Sequence, residues 1–147
     1  MKIPLIRGNQ LGAERYVAAF SIKGIKTVPQ LNVEAIIDTG CPFTFLSIDT
    51  LRRSRLPYSK LPVFKVVKLT NIGIELRDLG EVEFYFLDKN NAVQKIAHKL
   101  YVGVPQVPGG QLNVRLPSFL GKDFMDANRL GIIFDKDGNP HLYRDDE

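Results

Sequence analysis

Ala35-Ile36-Ile37-Asp38-Thr39-Gly40 decides how this chain is read. Residues 31–37 alternate Val33, Ala35 and Ile37 against Asn32, Glu34 and Ile36, the pattern of a strand, and the strand delivers a carboxylate at its end. An Asp held there inside an apolar β-domain loses much of its hydration. A lone buried carboxylate answers by taking up a proton, whereas two brought together share one, so that one is base and the other acid. Gly40 permits a tight turn close to a ligand. Thr39 carries a hydroxyl that can donate and accept at once, which suits pinning two loops together.

Working outward, residues 16–22 (Tyr-Val-Ala-Ala-Phe-Ser-Ile) read as a strand, with Gly24 following. Phe43 to Ser47 reads as another. Ser47 or Asp49 is placed to cap a short helix running through Arg55, which Pro57 ends. Residues 63–69 form a strand that empties into the loop Thr70-Asn71-Ile72-Gly73-Ile74. After Gly80, Val82, Phe84 and Phe86 alternate with Glu81, Glu83 and Tyr85, giving one dry and one wet face. Asp88-Lys89-Asn90-Asn91 predicts a hairpin turn and a strand returning through Val102. Residues 105–110 read as a loop. A helix is expected over residues 122–130 with Gly131 as its stop, then strands at 132–134 and 141–143. Eight or nine short strands with one or two short helices predict a mainly β domain, a closed or partly closed barrel, spanning residues 1–147 as one unit.

The totals agree with a single domain. The chain has 147 residues, 44% of them hydrophobic and 24% charged. No apolar run reaches the roughly 18–20 residues of a membrane helix, and the N-terminal run is interrupted by Pro4 and Arg7, so neither a membrane span nor a signal peptide is expected. A cytoplasmic location is the default expectation. Cys41 is the single cysteine, which excludes an intrachain disulfide. His98 and His141 lack companions at ligand spacing, so no metal and no cofactor is expected.

The formal charge is +4, with Arg52, Arg53 and Arg55 followed by Lys60. Such a cluster can neutralise phosphates, but without interleaved aromatics it reads as a solvated helix face. A nucleic-acid partner is the lesser alternative. Nucleophilic chemistry has little support: Cys41 has no evident His partner, and neither a Gly-x-Ser-x-Gly elbow nor a phosphate-binding loop occurs.

Two apolar residues followed by Asp38-Thr39-Gly40 resemble the catalytic signature of aspartic proteases. Asp-Thr-Gly alone arises by chance in about 3% of chains this long, and the apolar pair before it lowers that about fivefold. The single-lobe retropepsin-like branch carries a second glycine motif before a helix, and Phe119-Leu120-Gly121-Lys122-Asp123 resembles it. Leu69-Thr70-Asn71-Ile72-Gly73-Ile74 resembles the tip of that family's flap hairpin. The likeness covers residues 31–134.

The resemblance implies an aspartic endopeptidase with Asp38 catalytic and Thr39, Gly40 and Cys41 in the active-site loop. It implies Asn71, Ile72, Gly73 and Ile74 over the substrate, with Phe43, Ile72, Ile74 and Leu120 as candidate pocket walls. Pepsin-like enzymes carry two such motifs in one longer chain. A single motif here implies a homodimer with one Asp38 from each subunit, acting on a peptide or an unfolded protein. The alternative within the same fold is a peptide-binding or dimerisation module that does not cut. The chain departs from the family in four places: Cys41 replaces Ala or Ser, Pro42 and Lys122 replace the acid and Arg that pair in viral members, and the flap has the one glycine, Gly73, where viral flaps have several. Cys41, beside the dyad, also invites the expectation that thiol modification inhibits.

Overall fold

The structure is a computed structural model and describes residues 1–26, 28–51, 54–69, 71–106 and 116–146. In chain order the elements are β1 (Lys2–Pro4), β2 (Ile6–Gln10), β3 (Ala13–Lys23), β4 (Leu31–Ile37), β5 (Phe45–Ser47), α1 (Ile48–Leu51), a 3-10 turn (Tyr58–Lys60), β6 (Val63–Leu69), β7 (Ile72–Leu87), β8 (Val93–Gln106), β9 (Ser118–Leu120), α2 (Lys122–Ala127), β10 (Gly131–Phe134) and β11 (Pro140–Tyr143). The chain is mainly β, as its alternation predicts.

The strands form a small sheet, β1-β11-β10, and a large one ordered β2-β3-β4-β9-β5-β8-β7-β6. β3 changes neighbours along its length. Its first half pairs with β2, while Ser21, Ile22 and Lys23 pair with Tyr85, Phe84 and Glu83 of β7. That second pairing closes the large sheet on itself from β3 round to β7, leaving β2 and β6 as edges. No helix among the described residues is long and apolar enough to cross a membrane.

Alternation in β7 places Val82, Phe84 and Phe86 inward, all nearly fully buried. They meet Phe20 from β3 and Phe124 from α2, with Phe84 and Phe124 ring centroids 4.9 Å apart. Each such ring contributes roughly 1.5–3 kcal/mol by burial. A second apolar cluster lies under the β6–β7 hairpin and contains Ile36, Cys41, Phe45, Ile74, Leu76 and Phe119. The candidate site stands on this second cluster. His98 packs its ring against Phe84 and Phe124, and His141 lies buried in β11.

Five readings differ in the structure. The strand Ile6–Gln10 is legible only in the fold, because it is a mostly polar edge strand; Leu11 and Gly12, both at positive φ, make its turn into β3. The helix expected through Arg55 stops at Leu51, since the Ser54 amide and hydroxyl both donate to the Leu51 carbonyl. Arg55 lies in a turn at positive φ and so is not part of a helix face; Arg52 and Arg53 lie outside the described residues. Ile72, Gly73 and Ile74 belong to strand β7 rather than to a loop, pairing with Leu69, Lys68 and Val67. Finally, α2 ends before Gly131. Arg129 takes the left-handed conformation, the Asn128 side chain donates to the Phe124 carbonyl and the Leu130 amide to that of Met125, while Gly131 opens β10. Of the loop expected at 105–110, Pro105 and Gln106 lie in β8 and residues 107–110 lie outside the described residues.

Candidate active site

β4 ends at Ile37, and its parallel neighbour β9 ends at Leu120 opposite it. Asp38 extends that pairing by one step, its amide donating to the Leu120 carbonyl at 3.1 Å. The carboxylate is therefore fixed to the sheet while its chain leaves the sheet. Gly40 donates its amide to Asp38 Oδ1 at 2.8 Å and Cys41 donates its amide to the Asp38 carbonyl at 3.1 Å, so the turn folds around Asp38 itself. Asp38 is half-buried in the single chain, and Thr39 and Gly40 are exposed. Among the described residues, Oδ2 of Asp38 has no hydrogen-bond partner.

The turn's far side rests on the second glycine motif. A Cβ on Gly121 would lie 2.6 Å from both the carbonyl carbon and the oxygen of Phe43, and 2.7 Å from the Cys41 oxygen. Only glycine fits. The close approach lets Lys122 donate its amide to the Cys41 carbonyl at 2.8 Å and Asp123 donate to that of Pro42 at 3.3 Å. Thr44, almost fully buried, joins the two segments from within. Its Oγ1 accepts from the Gly121 amide at 2.9 Å and donates to Asp123 Oδ1 at 2.8 Å. Asp123 also accepts from the Phe124 amide at 2.8 Å, so this second carboxylate is occupied in holding the helix start.

The chain is similar in fold to retropepsin-like aspartic proteases. A retropepsin-like aspartic protease from Rickettsia conorii aligns over 94% of this chain and 87% of its own, with 17% identity and a TM-score of 0.49. EIAV protease, in complex with the inhibitor HBY-793, aligns over 86% of this chain and 100% of its own, with 12% identity and a TM-score of 0.49. For the retroviral protease-like domain of Ddi1 from Leishmania major the shares are 89% and 97%, with 10% identity and a TM-score of 0.42. No protein-family model matches the chain, and no curated protein matches it.

The structure brings together the Asp38 loop, the Phe119-Leu120-Gly121 motif and the β6–β7 hairpin. Ile74 packs in one cluster with Cys41 and Phe119, and Ile72 lies half-buried against it. Of the candidate pocket walls, Ile74 and Leu120 are fully buried core, whereas Phe43 and Ile72 remain partly open. Asn71 turns the hairpin at positive φ, and Gly73 sits with Val66 and Gln106 around it. Thr70 lies outside the described residues.

Cys41 is fully buried, its thiol donating to the Phe43 carbonyl at 3.2 Å. Burial, aided by the charges of Asp38 and Asp123 and opposed by that hydrogen bond, pushes its pKa up to about 11. Such a thiol is protonated near neutrality and poorly nucleophilic, so modification requires the loop to open first. Lys122 turns back to pair with Asp126 on its own helix, and Pro42 is exposed. The acid–arginine contact of viral enzymes therefore has no counterpart at these two positions.

Thr44 was not legible as a site residue, being one hydroxyl between Phe43 and Phe45. The same holds for a second polar cluster behind the loop. There Ser118 Oγ accepts from the buried Ser47 amide at 2.9 Å and lies 3.1 Å from Thr50 Oγ1. Ser47 Oγ in turn accepts from the Thr50 amide at 3.3 Å and caps α1, the role expected of Ser47 or Asp49. The available signal was the presence of hydroxyls at positions flanked by large apolar residues, where a free polar group would be costly.

Proposed function

We propose that the chain is one half of an aspartic endopeptidase and that two copies join to bring two Asp38 carboxylates together on a two-fold axis. The supporting observation is Asp38 itself: anchored by its backbone to Leu120, with Oδ1 held by Gly40 and Oδ2 unbonded among the described residues. A carboxylate so placed is oriented but incomplete, since hydrolysis by this chemistry needs one ionised and one protonated partner. In the dimer, the ionised Asp38 takes a proton from a water lying between the two. The protonated one polarises the scissile carbonyl, a tetrahedral diol forms, and the amine departs after protonation. No covalent enzyme intermediate arises. The exposed Thr39 hydroxyls lie beside the axis, available to bond across it. Substrate lies extended beneath the β6–β7 hairpin, bonded mainly through its backbone.

The test combines activity and assembly. Asp38→Asn is expected to lower cleavage of an unfolded protein by at least ~1,000-fold while sedimentation shows the dimer retained. Cleavage per chain should also rise with protein concentration until dimerisation saturates. Equal digestion by wild type and Asp38→Asn, or a chain that stays monomeric at micromolar concentration with peptide present, would overturn the proposal. In the latter case, peptide binding without cleavage would favour the non-cutting module.

A further inference from the structure

The inner face of the β6–β7 hairpin is apolar except at one position. Register pairs Leu69 with Ile72, Val67 with Ile74 and Lys65 with Leu76, so these six side chains share one face. Ile74 and Leu76 on that face are fully buried, in one apolar cluster with Cys41 and Phe119. Lys65 is the single charge in the row. A bulge between Val63 and Lys65 frees Phe64 from the ladder, and its ring packs edge-on to Phe43, with centroids 5.3 Å apart. The Lys65 ammonium stands 4.9 Å from the centre of the Phe43 ring and 5.4 Å from that of Phe64. Two aromatic faces hold a cation in place without neutralising it. Among the described residues Lys65 has no carboxylate partner, in contrast to Lys95, Lys99 and Lys122, which pair with Glu83, Asp78 and Asp126.

Phe43 belongs to the loop that begins at Asp38, so the ammonium is seated on the same loop that carries the carboxylate. We infer that Lys65, seated on Phe43 and Phe64, is a specificity residue that selects a peptide carrying Glu or Asp a short distance from the scissile bond. The inference rests on the endopeptidase reading and adds a substrate class to it. The ammonium would form a charge-assisted contact with the acidic side chain, while Phe43 and Ile72 take neighbouring apolar groups.

The experiment uses extended peptides with an apolar pair at the centre and Glu, Gln or Lys placed at each flanking position in turn. Affinity and kcat/KM are measured for wild type, Lys65→Ala, Lys65→Glu and Asp38→Asn, with thermal unfolding as a check on folding. At one flanking position wild type should favour Glu over Gln by about 10-fold, a ratio that falls steeply in high salt. Lys65→Ala should bring the ratio close to one, and Lys65→Glu should favour the Lys peptide. A wild-type ratio near one at every position, or a ratio that survives Lys65→Ala, overturns the inference and leaves the protease reading standing. If no peptide is cut but the Glu preference in affinity persists and depends on Lys65, the acidic subsite stands and cleavage falls.

Discussion

Gly121 lies against the backbone of Phe43 with no space for a side chain: a Cβ would meet the Phe43 carbonyl at 2.6 Å. This contact brings the loop after Asp38 onto the start of α2, and three hydrogen bonds donated by the amides of Gly121, Lys122 and Asp123 follow from it. Gly121→Ala must push the two segments apart. It should destabilise the fold by about 2–4 kcal/mol, read by urea denaturation, and should weaken cleavage more than the loss of folded protein accounts for.

Thr44 makes the same junction from inside. Thr44→Val keeps the shape but leaves the Gly121 amide without its acceptor and Asp123 with the Phe124 amide alone, at a cost of about 1–3 kcal/mol. Thr44→Ser keeps the hydroxyl and should cost less than Thr44→Val. The two variants separate the hydrogen bonds from the packing, and equal losses would refute the bonding role.

Ser118→Ala removes the acceptor for the buried Ser47 amide. A loss of about 1–3 kcal/mol is expected, measured by thermal or chemical unfolding. Amide exchange at Ser47 and Thr50 should quicken more than exchange in β10 or β11.

The folded Cys41 thiol holds its proton more tightly than an ordinary thiol, with a pKa raised from 9.0 to about 11. A raised folded pKa contributes stability that is complete below pH 9 and is lost as pH rises towards 11. Relative to Cys41→Ala, wild type should lose up to ~2 kcal/mol over that window. At pH 8 iodoacetamide should label unfolded protein rapidly and the native protein only at its opening rate. Rapid native labelling would show that the loop is open in solution.

Local patterns foretold the elements that carry clear alternation. Residues 31–37 and 63–69 form strands with the expected bounds, and the inward row of Val82, Phe84 and Phe86 lies as its period requires. β2 escaped notice because an edge strand needs no apolar face, and α1 read too long because Arg52 to Arg55 favour a helix locally. Gly131 looked like a helix stop, yet Arg129 accepts the left-handed turn since the bonds from Asn128 and Leu130 close the helix earlier.

From its own order of residues the chain determined an apolar strand ending in Asp38-Thr39-Gly40 and the inward row of Val82, Phe84 and Phe86. Those depend on local sterics and on periodicity, which act over a few neighbours. The tertiary structure alone decided that β4 lies parallel to β9, that Thr44 locks Gly121 to Asp123, and that Lys65 comes to rest over Phe43. These contacts join residues far apart along the chain. Burial and hydrogen-bond satisfaction select them only once the whole sheet has closed.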